Sequence, residues 1–158
     1  NHPADVATDT SGNIYVADGY GNSAIHKFTS RGDHILSWGA PGAGIGQFTT
    51  PHGIWVDKEN TVYVADREND CIQVFDSNGN FITRWGNFYH PMDIWMDHED
   101  VVYVTDQVPR FTVLDIKGEI LARGRTPDGG HGLYGDSRGN IYLAASTRGI
   151  VKMVRTNT

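Results

Sequence analysis

Two histidines and a tyrosine carry most of the chemistry this sequence could do. His52 stands in Gln47-Phe48-Thr49-Thr50-Pro51-His52-Gly53 and His131 in Gly130-His131-Gly132. Neutral imidazole suits zinc, and a catalytic zinc commonly holds three protein ligands and one open position. Two histidines brought to one point would supply two of the three. Tyr20 lies in the glycine-rich run Asp18-Gly19-Tyr20-Gly21-Asn22. A nearby dication could lower a phenol's pKa enough for it to serve as a base. Each group also has a plainer reading. The histidines can hydrogen-bond where they stand, and Tyr20 can be a packing lid over its turn.

The elements that must position these residues recur along the chain. Tyr15, Tyr63, Tyr103 and Tyr142 each follow a turn, in I-Y-V-A-D, V-Y-V-A-D, V-Y-V-T-D and I-Y-L-A-A. Upstream of each, P-A-D-V-A-T-D, P-H-G-I-W-V-D, P-M-D-I-W-M-D and G-H-G-L-Y-G-D align as one set of columns. A period near 40 residues with four short β-rich runs per unit is the pattern of a β-propeller blade. In Pro51 to Gly86 the strands are expected at Ile54–Asp57, Thr61–Asp66, Ile72–Asp76 and Phe81–Trp85. The turns between them are rich in Asn, Gly and charged residues. Repeats run over about residues 3–50, 51–90, 91–129 and 130–158, within a single all-β domain or part of one. The extra length of the first repeat is the connector Gly39–Thr50, which Phe48 is expected to pin.

The fourth repeat offers only three strands, Leu133–Asp136, Ile141–Ala145 and Ile150–Val154. Asn1-His2-Pro3-Ala4 leads straight into the first strand, with no leader and no spare strand expected there. The outer strand of the last blade is therefore expected from outside residues 1–158, from further sequence or from a partner chain or second copy. The four visible blades then read as part of a larger ring, with a closed four-bladed ring as the alternative.

Blades are related by rotation about an axis, and the first strand of each is the innermost. The column just before that strand reads Ala4, His52, Met92, His131, so both histidines are expected to face one axial opening. The turn between the second and third strands lies at the same end, which puts Tyr20 there together with Arg67 and Glu68. Arg67 and Met92 are candidate substrate contacts, against the plainer readings of an exposed turn charge and a packed side chain. Asp9, Asp57, Asp97 and Asp136 precede turns and are expected to cap them through side chain–backbone bonds. Asp18, Asp66 and Asp106 are expected to do the same at the next turn. Trp55, Trp95 and Tyr134 are expected between blades. His2, His26, His34, His90 and His98 are expected to be solvated.

The repeats, and above all V-Y-V-A-D-R-E-N…I-Q-V-F-D…G-N-F, resemble the NHL-repeat family of propellers, which implies a six-bladed ring with two blades beyond the four visible ones. Asp18-Gly19-Tyr20-Gly21-Asn22-Ser23, Trp38-Gly39, Gly46-Gln47-Phe48-Thr49-Thr50-Pro51-His52 and Val64-Ala65-Asp66-Arg67-Glu68-Asn69 are similar to the peptidyl-α-hydroxyglycine α-amidating lyase family. That resemblance implies a catalytic role for Tyr20 and zinc ligation by His52 and His131, with calcium as a second candidate ion. It implies cleavage of the C–N bond of a peptidyl-α-hydroxyglycine, and an extracellular or periplasmic setting. It also marks departures. The family's third zinc histidine and its substrate-binding arginine come from an earlier blade, and Gly132 stands where the animal enzymes have aspartate. The alternative is a non-catalytic propeller scaffold for a protein, peptide or glycan.

Composition narrows the partners. Formal net charge is -6, with 13 basic residues against 19 acidic ones, whereas a surface that tracks phosphates needs clustered Lys and Arg. No nucleic-acid partner is expected. No apolar run approaches the roughly 20 residues of a membrane helix, and no membrane partner is expected. Cys71 is the only cysteine, so no intrachain disulfide can form, and it is expected to be an inert packed residue.

Overall fold

The computed structural model describes residues 1–145 and 147–156. Among the described residues, fifteen strands form four antiparallel sheets. The first blade is β1 (Asp5–Thr8), β2 (Ile14–Asp18), β3 (Ala24–Phe28) and β4 (His34–Trp38), paired in chain order. The second is β5 (Pro51–Val56), β6 (Val62–Asp66), β7 (Cys71–Phe75) and β8 (Phe81–Trp85). The third is β9 (Pro91–Met96), β10 (Val102–Asp106), β11 (Arg110–Leu114) and β12 (Ile120–Arg125). The fourth has three strands, β13 (Gly130–Gly135), β14 (Ile141–Ala145) and β15 (Gly149–Met153). A single 3-10 turn at Arg67–Asn69 is the helix content among the described residues. The chain divides into two compact units, Asn1–Pro91 and Met92–Thr158.

Why the tyrosines recur becomes plain in the turns. Asp9 accepts from the backbone N–H of Ser11 and Asn13, both at 2.9 Å, and from the Tyr15 hydroxyl at 3.2 Å. Asp57 repeats this with Glu59, Thr61 and Tyr63, Asp97 with Glu99, Val101 and Tyr103, and Asp136 with Arg138, Asn140 and Tyr142. The carboxylate closes the first turn of each blade, as expected. Each tyrosine reaches back six residues to the same group, a long-range bond that the strand pattern alone does not show. Burial first, then Asp97, pushes the Tyr103 phenol up to about 12.

These bonds set a pH dependence. The amide of Asn140 and the turn N–H groups hold Asp136 down at about 2. At Asp9 burial works the other way, but the bonds from Asn13, Ser11 and Tyr15 outweigh it, and its pKa is lowered. A carboxylate whose folded pKa is depressed contributes stability above its unfolded value of about 3.9 and loses it as pH falls through the folded value. Stability should therefore decline from about pH 4 toward pH 2. Asp5 and Asp66 oppose the trend, because burial pushes both upward. Circular-dichroism melts between pH 2 and 6 should show a shallower acid slope in Asp136→Asn than in the parent. Superimposable slopes would mean the turn carboxylate does not matter.

In the first unit the core is Tyr15, Ala17, Ile25, Phe48, Ile54, Val56, Val62, Val64 and Phe75, with Trp38 and Phe81 against it. Phe48 is fully buried, its ring 5.7 Å from that of Phe75, so it does pin the connector. Gln73 and Asn69 complete the anchoring by donating to the carbonyls of Gln47 (2.7 Å) and Gly42 (2.8 Å). Cys71 is buried, and that burial pushes its thiol up to about 11, which fits an inert packed residue. In the second unit the Trp95 ring lies against Tyr134 of the following blade, with centroids 6.1 Å apart. It occupies the space a side chain at Gly135 would need, since a Cβ there would fall 2.1 Å from the ring. The expected packing of this column between blades is borne out at Trp95.

Adjacent inner strands are also tied by a bond that sequence reasoning missed. Asp5 on β1 accepts from the Ile54 N–H of β5 at 2.8 Å, and Asp93 on β9 accepts from the Leu133 N–H of β13 at 2.6 Å. Ile54 is 2% exposed. An Asp5→Ala change strands its buried N–H, which should cost about 1–3 kcal/mol. A urea titration that gave the parent's midpoint would show the N–H finding another acceptor.

The strand boundaries differ from expectation in one instructive way. β5 begins at Pro51 and β13 at Gly130, three residues before the predicted starts. His52 and His131 thus lie within their strands. Residues 1–3 are bonded within the first blade. The His2 carbonyl accepts from the Tyr20 N–H at 3.3 Å and its own N–H donates to Asp18 at 3.0 Å, within the first blade. Residues 157 and 158, which bear on the expected closure of the last blade, lie outside the described residues.

Candidate functional site

Both histidines occupy β-bulges. Pro51 pairs with Asp66 and Ile54 with Val64, so His52 and Gly53 together oppose one residue of β6. Gly130 pairs with Ala145 and Gly132 with Ala144, which leaves His131 as the extra residue of β13. A bulge breaks the strict alternation of side chains and re-aims the one it carries. The surroundings of the two rings differ. His52 is 3% exposed, whereas His131 is exposed.

The cover over His52 is Tyr20. Their rings meet edge to face, with centroids 5.7 Å apart and planes at 81°. Tyr20 is itself 53% exposed, so one side touches imidazole and the other is open. Four restraints produce this corner. Gly19 lets the β2–β3 turn press onto Pro51, since a Cβ there would stand 2.1 Å from the Pro51 carbonyl oxygen. Asp66, fully buried, accepts from the Thr49 N–H at 2.8 Å and holds the approach to His52. Asp5 holds Ile54, two residues beyond His52. Asp18, 2% exposed, accepts from the Asn22 amide at 2.6 Å, which shapes the turn carrying Tyr20.

Asp18 and Asp66 do not cap the second turn through its backbone as expected; each holds it instead through a side-chain amide, Asn22 for Asp18 and Asn69 for Asp66. Each also accepts a backbone N–H from the segment that leads into its blade, His2 for Asp18 and Thr49 for Asp66. Asp106 differs again, pairing with the Arg110 guanidinium. The reason is burial: a carboxylate with so little access to water must collect donors from whatever chain passes it.

Arg67 is half-buried and not an exposed turn charge. Its Nε lies 3.5 Å from Glu68. Met92 is 4% exposed, which matches the packing reading. Three histidines expected to be solvated are engaged, the exposed His34 through a bond of 2.8 Å between its Nε2 and the Ser37 hydroxyl. His90 Nδ1 lies 3.3 Å from Glu68, and His26 Nε2 lies 3.4 Å from Asp18 while its Nδ1 bonds Ser37 at 2.7 Å. His26 lies mid-strand on β3, next to the paired β2 that ends in Asp18, and His90 lies just ahead of β9. His2, His34 and His98 are exposed.

A buried imidazole with a phenol at its edge fits one ligand of a zinc site. Among the described residues, no group of three or more His, Cys, Asp or Glu gathers as a metal centre would require. The described donors by themselves do not make a complete zinc site.

Comparison with known proteins agrees with the repeat pattern. The NHL repeat model matches residues 1–28 and 48–75. Peptidyl-glycine alpha-amidating monooxygenase A of Xenopus laevis is 44% identical over 87 residues, which is 51% of this chain and 9% of that protein. The Caenorhabditis elegans protein named "Probable peptidyl-alpha-hydroxyglycine alpha-amidating lyase pgal-1" is 41% identical over 76 residues, 46% of this chain and 22% of its own length. The chain thus spans less than a quarter of either relative. A streptogramin B lyase structure superposes with a TM-score of 0.74 over 99% of this chain and 55% of that one, at 14% identity, a likeness of fold. The chain carries NHL repeats, folded as antiparallel blades of the β-propeller type, and peptidylglycine α-amidating proteins are among its relatives.

Proposed function

We propose that this chain is part of a lyase-like NHL propeller, in which Tyr20 and His52 form one wall of the site. The observation that carries this reading is the half-exposed phenol set edge-on against a buried imidazole in a strand bulge. The substrate class is a peptidyl-α-hydroxyglycine. Tyr20, as phenolate, takes the proton of the carbinol hydroxyl. The electron pair of that O–H bond forms the carbonyl, the C–N bond breaks, and the departing nitrogen takes a proton. The products are a peptide amide and glyoxylate.

Zinc, with calcium as the second candidate, is the ion this reading expects, and its chemistry when bound is to stabilise negative charge on the hydroxyl oxygen. His52 and His131 are the ligands this chain would supply, and any further ligand would come from outside the described residues. Full-length protein should release glyoxylate from a peptidyl-α-hydroxyglycine and carry stoichiometric metal. Absence of both from correctly folded protein would sink the proposal. A His131→Ala variant run in parallel reports whether the second imidazole belongs to the same site.

The scaffold reading has one observation in its favour. Val6, Ala7, Thr8, Trp55 and Val56 line an open, apolar cavity of about 290 Å³ along the inner strands β1 and β5. Val6 is 59% exposed. A protein or peptide partner would be recognised there without any turnover, and pull-down that survives Tyr20→Phe and His52→Ala while turnover is undetectable would favour it.

A further inference from the structure

In a chain with formal net charge -6, three arginines gather on one groove. Val108, Pro109, Arg110, Arg123, Gly124 and Arg125 line a cavity of about 340 Å³ between the β10–β11 turn and the outer strand β12. Arg110 and Arg125 are direct cross-strand partners, and Arg123 stands opposite Thr112, two residues along the same face. Like charges placed opposite each other on a sheet are destabilising. A fold keeps such a pair at lower cost when an anion sits between the two.

The local charges support that reading. Arg110 is held by the fully buried Asp106 through Nε and Nη2. Arg123 Nε lies 3.4 Å from the Thr112 hydroxyl. Arg125 is exposed and makes no ion pair or side-chain hydrogen bond among the described residues. The next carboxylate along the chain, Asp128, is taken up by the N–H and hydroxyl of Thr147 and by the Gly129 N–H. Three guanidiniums thus line one groove beside the buried Asp106 carboxylate. A phosphate monoester carries about -1.5 to -2 at pH 7 and three acceptor oxygens. Guanidinium matches those oxygens in pairs. Val108 and Pro109 offer an apolar wall to whatever the phosphate esterifies.

We propose that this groove binds a phosphate monoester dianion. The proposal is independent of the lyase reading, since it uses none of Tyr20, His52 or His131. Full-length protein is titrated by calorimetry in about 0.15 M chloride with inorganic phosphate, phosphoserine and a phosphoserine peptide. Binding is expected, weaker by about tenfold or more in Arg125→Ala because one charge-assisted contact is lost. Arg125→Lys should recover only part of it, and Arg31→Ala, on a turn of the first blade, should bind as the parent does. Tighter binding of the peptide than of phosphoserine would identify a phosphorylated protein as the source; equal binding would identify a small phosphorylated molecule. The proposal is overturned by an affinity unchanged in Arg125→Ala. It is also overturned by single-stranded RNA, with one charge per phosphodiester, binding more tightly than any monoester and losing affinity in the same variant.

Discussion

Replacing Tyr20 with phenylalanine is expected to lower turnover by about a hundredfold to ten-thousandfold, the range typical of a lost general base, and to leave metal content unchanged. The phenol hydroxyl is the only group removed. The ring that lies 5.7 Å from His52 remains, so the wall of the site keeps its shape. Replacing His52 with alanine is expected to lower metal content and turnover together. The pair of variants separates three accounts. If Tyr20→Phe also loses metal, the phenol is a ligand. If neither variant changes turnover, the corner is structural. If both merely unfold at lower denaturant, it is packing, and the lyase reading fails. Glyoxylate release and elemental analysis on the same preparations give both readouts.

A Gly19→Ala substitution is expected to cost about 3 kcal/mol, the upper part of the range for overpacking. The added Cβ would stand 2.1 Å from the Pro51 oxygen and 3.0 Å from its carbonyl carbon. Both are backbone atoms of β5 that cannot rotate away, and Pro51 is itself buried. Relief requires the turn carrying Tyr20 to lift from the strand carrying His52. Stability and turnover should therefore fall together, unlike in Tyr20→Phe. Gly86→Ala is the control, because a Cβ there meets nothing within 4 Å. A denaturation midpoint for Gly19→Ala equal to that of Gly86→Ala would show that the turn shifts without penalty and that Gly19 does not set the Tyr20–His52 contact.

Much of this architecture is local in origin, and the sequence by itself determined it. Each blade arises from short β-rich runs and turns whose Asp, Asn and Gly residues satisfy the backbone within five positions, so the repeat and its strand count are readable from spacing. The carboxylate of Asp136 caps its turn through the N–H groups of Arg138 and Asn140, neighbours that any reading of the chain supplies. Cys71 and Phe48 were readable as packed for the same reason. What the tertiary structure decided lies across strands. The bulges at His52 and His131 are matters of register, which depends on the partner strand and not on the residue. Their unequal burial depends on whether a turn from a preceding blade covers the ring. Asp5 and Asp93 read as inner-strand polar residues until the next strand's N–H groups at Ile54 and Leu133 are brought to them. Arg110, Arg123 and Arg125 form a patch because β11 and β12 pair antiparallel, which sets side by side residues 15 apart in the chain. Composition hid that patch, since net charge sums over the whole surface while an anion responds to the charges within a few ångströms of it.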